Sequence, residues 1–348
     1  MVEYKATEIE LKESLIMKRK DPKDTILYIV LPCYNEEEIL HHSAEKLLAK
    51  WHELVDEKKL ISPKSRILFV DDGSVDRTWQ LIKEEHASHP EIQGIQLAHN
   101  RGHQNALLAG LMFSKDRADV MITIDADLQQ DIHAMEDFLA QYYEGCEIVY
   151  GIRNSRDTDS FFKKTTATAY YGLMHHLGCP LYPNSADYRL MSSLSVEALS
   201  EYSEVNLFLR GLIPEIGFKT GVVHFDVFAR EMGSSKYTFR KMMKLAMDGL
   251  TSFSVKPLRL ILLLGEIVFL ISIIMILWTI IDFCHGNTVA GYPTMTCSIW
   301  FIGGVQLLSL GVIGEYLGRN YQESKKRPRY FIQDMYIDEN EVTDHAES

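Results

Sequence analysis

With 348 residues, 46% of them hydrophobic and 24% charged, the chain is long enough for two or three domains and apolar enough to fold. Its net charge of −12 excludes a nucleic-acid binder, which needs a basic face. Its five cysteines are scattered and form no Cys-x-x-Cys pair, which excludes a disulfide framework and a zinc site and indicates a reducing compartment.

Residues 1–24 form a charged extension whose first apolar run is too short for a signal peptide. Ile26–Leu31 reads as a buried strand ended by Pro32. Asn35-Glu36-Glu37-Glu38 then opens a helix that runs to about Glu57, with acids placed to suit its N-terminus. A second strand, Ile67–Val70, leads into Asp71-Asp72-Gly73-Ser74-Val75-Asp76, a tight turn with Ser74 or Asp76 as cap of a helix to about His86. Gly94–Leu97 is predicted as a strand, His103–Ser114 as a helix, Val120–Ile124 as a strand, Ile132–Tyr143 as a helix and Ile148–Tyr150 as a strand. Strands alternating with helices predict an α/β fold, a mostly parallel sheet with helices on both faces.

The run Val120–Ile124 goes straight into Asp125-Ala126-Asp127. Two carboxylates cannot be buried unpaired, so they emerge at the carboxyl end of the strand, where α/β sheets bind ligands. Asp-x-Asp at that place suits a divalent cation carrying a nucleotide diphosphate. Three loops, Tyr34-Asn35-Glu36-Glu37, Asp71-Asp72-Gly73-Ser74 and Asp125-Ala126-Asp127, meet at one edge of a parallel sheet. Helix capping accounts for any one of them more readily than for all three. No Gly-x-x-x-x-Gly-Lys-Ser/Thr loop and no Gly-x-Gly-x-x-Gly after a strand occurs, which argues against P-loop hydrolysis and dinucleotide redox chemistry.

Leu258–Ile281 is 24 residues long with Glu266 as its one acid, and Thr296–Gly314 is a weaker apolar run. As a helix the first would be about 36 Å long, enough for about 30 Å of hydrocarbon. Lys256 precedes the pair and Arg259 stands at its first turn, Arg319, Lys325, Lys326, Arg327 and Arg329 follow it, and Asp282–Met295 has no Lys or Arg. The positive-inside rule then puts both chain ends in the cytoplasm. The expected organisation is an extension over 1–24, a cytoplasmic catalytic domain over 25–235, an amphipathic juxtamembrane segment over 236–257, a transmembrane hairpin over 258–314, and a tail over 315–348. Beyond Arg329 that tail carries Asp334, Asp338, Glu339, Glu341, Asp344 and Glu347 without a Lys or Arg, and reads as a solvated, disordered segment. Phe161–Leu177 and the basic stretch around Arg240, Lys241 and Lys244 suit the membrane interface.

Leu31-Pro32-Cys33-Tyr34-Asn35-Glu36, Val70-Asp71-Asp72-Gly73-Ser74-Val75-Asp76 and Asp125-Ala126-Asp127-Leu128-Gln129, in that order, resemble family 2 glycosyltransferases. Asn100–Ala106, Gly151-Ile152-Arg153, Asp187-Tyr188-Arg189-Leu190-Met191 and Arg230–Tyr237, with the paired spans, narrow the resemblance to the polyprenyl-phosphate branch of dolichyl-phosphate mannose synthases and bactoprenol glucosyltransferases. It covers about residues 25 to 320. It departs where the family often has His-Pro and this chain has Gln130-Asp131, and the Gln-x-x-Arg-Trp signature of processive synthases is absent.

The resemblance implies a GT-A-like, nucleotide-sugar-binding sheet and an inverting transferase on the cytoplasmic leaflet, in a bacterial plasma membrane rather than the endoplasmic reticulum. In it Asp72 would hold the base, with Pro32, Tyr34 and Glu36 lining the nucleoside pocket. Asp125 and Asp127, flanked by Ala126 and Gln129, would grip the diphosphate through Mg²⁺ or Mn²⁺. Arg230 and Lys236 would close over it. Asp187 matches the catalytic carboxylate, and Arg153, then Arg189, are the candidates for the phosphate of a polyprenyl (undecaprenyl or dolichyl) phosphate acceptor. Transfer to a hydroxyl of a lipid-linked saccharide, and a non-catalytic membrane scaffold or flippase subunit, are the competing readings. The sugar, the choice between uridine and guanosine, and a homo-oligomer stay open.

Overall fold

A computed structural model describes residues 19–154, 185–204, 207–228 and 291–337, with single helical positions at 263, 267 and 274. Eight strands form one sheet: β1 Leu27–Cys33, β2 Arg66–Asp71, β3 Ile92–Leu97, β4 Val120–Thr123, β5 Ile148–Arg153, β6 Ser185–Ser192, β7 Thr220–Phe225 and β8 Ile332–Tyr336. Their spatial order is β7-β5-β6-β4-β1-β2-β3-β8. The helices are α1 Leu40–His52, α2 Thr78–Ser88, α3 His103–Ser114, α4 Met135–Tyr143, α5 Ser193–Ser200, α6 Leu209–Glu215 and α7 Tyr292–Ser324.

Alternation along β1 builds both halves of the core. Leu27, Ile29 and Leu31 face the layer of α1, α2 and α4, while Tyr28 and Val30 face that of α3, α5 and α6. All of these are 1% exposed or less, so β1 reads as a continuous apolar run, as a strand covered on both faces must.

The sheet is mixed rather than mostly parallel. β1–β2, β1–β4, β2–β3 and β5–β7 are parallel, but β6 runs antiparallel to both β4 and β5, and β8 antiparallel to β3. Because β6 is reversed, its first residues lie on the rim where the parallel strands end. That reversal delivers Asp187 beside Asp125.

Three local predictions change for physical reasons. Pro32 lies inside β1 rather than ending it. The Val30 carbonyl, on the β4 side, accepts from Ile124 N, so residue 32 presents its missing N–H on the side where β4 has already stopped. The helix predicted from Asn35 starts at Leu40. Asn35 sits at φ 53°, and the Glu36 and Glu37 amides donate to Thr78 Oγ1 and Asp76 instead of opening a helix. The start of the acidic tail, expected to be solvated and disordered, supplies an edge strand: Tyr336 packs on Trp79 and His86, and Asp334 lies 3.4 Å from Lys83.

The end of the N-terminal extension is docked as well. Arg19 stacks 3.9 Å over the Tyr142 ring and pairs with Glu147 at 2.7 Å.

The first apolar span, the amphipathic stretches at 161–177 and 236–257, Arg230 and Lys236 lie outside the described residues, apart from the three single positions. The second span falls within α7, a helix of 33 residues whose Met295, Ile299, Leu310, Ile313 and Leu317 are exposed. Among the described residues no helix is long and apolar enough to cross a membrane.

Helix α3 lies close on the sheet at Gly110, where a Cβ would meet Val30 Cγ1 at 2.4 Å and Val70 Cγ2 at 2.8 Å. Alanine in an open helix gains up to about 1 kcal/mol over glycine. Here the overlap with two stiff valines outweighs it. Gly110→Ala is therefore expected to destabilise the domain by about 1–3 kcal/mol, read from its chemical denaturation midpoint. An unchanged or raised midpoint would contradict the close packing.

Candidate active site

The β1 and β2 exits are stitched together. Asn35 N donates to Ser74 Oγ and Val75 N to Asn35 Oδ1, each at 2.9 Å. The N-cap of α2 is Arg77, without a side-chain cap bond, rather than Ser74 or Asp76; Asp76, one residue before it, accepts from Thr78 N at 2.9 Å. Gly73 at φ 66° lets the β2 exit lie against the backbone of His99 and Asn100, where any Cβ would come within 2.7–2.8 Å.

Asp72, predicted to hold a base, is buried and directs its carboxylate inward. Its oxygens accept from Arg101 N at 2.7 Å and Gly102 N at 2.8 Å. Burial raises its pKa against those two bonds. Its observed work is to fix the loop that starts α3. Pro32 is buried beside it, Tyr34 is 38% exposed on the rim and Glu36 is partly buried.

Asp125 and Asp127 leave β4 partly exposed, on a turn with Leu128 at φ 44°. Gln130 Nε2 donates to Asp125 Oδ2 at 2.5 Å, Gln129 N to Asp127 Oδ1 at 3.3 Å, and the Ala126 carbonyl accepts from Ser43 Oγ at 2.7 Å. So Gln130, which replaces the family's more usual His, orients the first carboxylate. The segment after β7 pairs with this turn: Gln130 bridges Val227, and Phe228 N donates to the Gln129 carbonyl. The described chain there stops two residues short of Arg230.

Asp187 is the hub. It is 6% exposed, and Arg189, 1% exposed, donates to its Oδ1 at 2.6 Å. Arg210, on the first turn of α6, grips both oxygens, Nε to Oδ1 at 3.1 Å and Nη2 to Oδ2 at 2.9 Å. His103, the first residue of α3, lies 3.5 Å from Asp187 and 3.7 Å from Asp125, and so spans the two carboxylates. Burial opposes ionisation of Asp187, but Arg210, His103 and Arg189 outweigh it and hold its carboxyl well below the usual range. Burial likewise opposes protonation of His103, yet Asp187 and Asp125 raise its pKa.

Arg189, expected to meet a lipid phosphate, is 1% exposed and donates to Asp187. Arg153 is exposed at the end of β5, paired in register with Phe225. Phe225 faces the α1/α4 layer, so Arg153 leaves the sheet on that face, whereas Arg189 and Asp187 leave it on the α3 face. The two arginines do not converge.

Sequence reading missed Arg210 and passed over His103. A lone arginine in the apolar run Leu207-Phe208-Leu209-Arg210-Gly211-Leu212 was the available signal, because a partly buried guanidinium requires a carboxylate.

Oxygen donors at Asp125 and Asp127 suit Mg²⁺ or Mn²⁺, which is bound through one or two carboxylates plus substrate phosphates. A second cluster, Glu53, His133 and Glu136, is poorly suited. Lys58 and Lys50 hold Glu53 at about 2 and both also bind Glu136, so its carboxylates already neutralise lysines.

Residues 28–202 match the family model described as glycosyl transferase family 2, and residues 256–319 the one described as GtrB C-terminal hairpin. The chain is 49% identical over 321 residues to the uncharacterized glycosyltransferase YkoT of Bacillus subtilis, covering 92% of this chain and 94% of that one. It is 38% identical over 307 residues to the bactoprenol glucosyl transferase of Shigella phage SfX, covering 87% and 97%. A solved structure of the mannosyltransferase PcManGT from Pyrobaculum calidifontis, in complex with GDP-Man and Mn²⁺, is 13% identical, covers 86% of this chain and 93% of its own, and aligns with a TM-score of 0.43.

Asp187→Asn leaves the Arg189 guanidinium buried against a neutral amide, and is expected to cost about 3–5 kcal/mol at pH 7. The folded pKa of Asp187 is depressed, so its contribution is present above the unfolded value of 3.8 and is lost as pH falls through the lower folded one. The gap between wild type and variant in urea denaturation should therefore be full at pH 7 and close below pH 3.8. A gap that persists unchanged in acid would contradict the ion-pair account.

Proposed function

The chain belongs to glycosyl transferase family 2, and from that membership we propose that it moves one sugar from a nucleotide-sugar to a polyprenyl phosphate at the cytoplasmic face of a bacterial membrane. The observation that carries the acceptor half is the state of Asp187. A sugar hydroxyl needs a general base, whose pKa works best near the operating pH. A carboxylate clamped by two guanidiniums and a histidine, with its pKa held low, is a poor base. A phosphate monoester has a second pKa of about 6 and arrives already ionised. Its nucleophilic oxygen attacks the anomeric carbon from the face opposite the leaving diphosphate, so the reaction inverts.

In this reading Tyr34, Glu36 and Pro32 border the nucleoside, with the Asp72-held loop beneath it. Asp125 and Asp127 hold the divalent metal, which when bound neutralises charge developing on the leaving diphosphate. Gln130 and His103 fix Asp125, and Ala126 and Gln129 shape the turn between. Arg230 and Lys236 close over the diphosphate, and Arg153 meets the acceptor phosphate at the rim. The two apolar runs at 258–281 and 296–314 anchor the domain, with the loop between them outside. The match to the GtrB C-terminal hairpin supports that anchor. Relatives named bactoprenol glucosyl transferase make glucosyl donors the first to try.

The reading is tested by transfer of labelled sugar into extracted lipid, with the product identified as an acid-labile sugar phosphate. Asp127→Asn should abolish transfer and the metal-dependent thermal shift given by donor, with the fold intact. Arg153→Ala should raise the requirement for polyprenyl phosphate roughly ten- to a hundredfold, as expected for a lost charge-assisted contact, and the donor requirement much less. Near-normal turnover of Asp127→Asn at ordinary metal concentration would remove the metal role. Unchanged acceptor dependence in Arg153→Ala would remove that residue from the acceptor site.

A further inference from the structure

The two cations that hold Asp187 from outside its own strand, Arg210 and His103, both stand at the start of a helix, α6 and α3. The chain returning from α7 ties down the segments that lead toward both. Arg329, five residues past the end of α7 and half-buried, donates through Nη2 to the Tyr202 carbonyl. Tyr202 begins the lead-in to α6. That short helix has no side-chain cap of its own, and its first amide, Leu209 N, donates to Gln104 Oε1 of α3 at 3.1 Å. Tyr202 and Leu207 pack on the α3-side core together with Tyr330, Ile332 and Ile337 of the returning chain. Glu204 and Glu323 lie close enough to act on Arg329 electrostatically. Two residues on, the Phe331 carbonyl accepts from Ala98 N at 2.9 Å, at the exit of β3 that leads to His103. From there β8 pairs along β3.

We propose that Arg329 is a positioning residue for sugar transfer, fixing Tyr202 against the α3-side core on which Leu207 and α6 also pack, so that the Arg210 guanidinium meets Asp187. Charge counting alone assigns Arg329 to the basic residues that set the orientation of the two apolar runs. Its bond to a backbone carbonyl of the catalytic domain gives it different work. It also joins the hairpin helix mechanically to the reaction centre, since only four residues separate Lys325, the C-cap of α7, from Tyr330. The inference rests on sugar transfer at this site and not on the identity of the acceptor.

The test uses the full-length protein with whichever lipid acceptor supports wild-type turnover. It compares Arg329→Ala, Arg329→Lys, Arg327→Ala, Arg210→Ala and the double variant Arg210→Ala/Arg329→Ala. Arg329→Ala should lower kcat roughly five- to twentyfold, in keeping with one charge-assisted bond, while the KM for donor stays within about twofold. Arg329→Lys should recover part of the loss, and the exposed Arg327→Ala should match wild type. In the Arg210→Ala background the Arg329 change should add less than about twofold, because both act through one contact. Hydrogen exchange read on peptides covering 202–213 should quicken in Arg329→Ala, while peptides covering β2 should not change. Equal effects of Arg329→Ala in both backgrounds, wild-type kcat, or unchanged exchange over 202–213 would each overturn the proposal. A wrong acceptor would scale all variants together and leave their ratios intact, so failure of the lipid-phosphate reading is distinguishable from failure of this one.

Discussion

A carboxylate with almost no exposure to water, sealed between two guanidiniums, governs the arrangement of this site. Asp187 and Arg189 are neighbours on one face of β6, and neither would be tolerated there alone. The pair draws in Arg210 from α6 and His103 from α3. Its β6 backbone is also tied to β4, through Thr123 Oγ1 donating to the Asp187 carbonyl at 2.5 Å. Strand order supplies the rest. Only because β6 runs against its neighbours does its first turn of chain arrive where β1, β2 and β4 end.

Chemistry follows from that electrostatic state. Arginines that stabilise an anion remove its value as a proton acceptor, so Asp187 acts through charge and position. It aims Arg210 and His103 toward the rim where Asp125 and Asp127 stand. In the function proposed above, such a site would gather anionic partners and suit an acceptor that brings its own negative charge. The strap formed by Arg329–Tyr336 extends the same logic outward, bonding α7's continuation to Tyr202, before α6, and to Ala98, before α3.

Much of this was legible in the residues. Continuous apolar runs fixed β1, β2 and β4, and the acids that follow them located the functional rim. The helix at His103–Ser114 has the limits its apolar pattern predicted. What escaped reading lies where tertiary partners override local pattern. Asn35–Glu38 looks like a helix start, but its amides find better acceptors on the β2 loop. Asp72 also fastens the loop that leads to α3 through two backbone amides, which local pattern does not show. β6 holds a buried arginine and aspartate, so it lacks a clean apolar run, and its partnership with Arg210 spans 23 residues of chain. β8 was hidden by the acidic composition that follows it, although Phe331, Ile332, Met335 and Tyr336 mark an edge strand with one face packed.

The central claim is that this site lacks a working general base and depends on an acceptor already ionised. It is tested most directly by giving the wild-type protein three acceptors built on one polyprenyl chain: the phosphate, the free alcohol and a lipid-linked monosaccharide. The account predicts transfer to the phosphate, with kcat/KM for the two hydroxyl acceptors at least about a hundredfold lower, the smallest usual contribution of a general base. Comparable kcat/KM on either hydroxyl acceptor would contradict it, and would return Asp187 to the role of base.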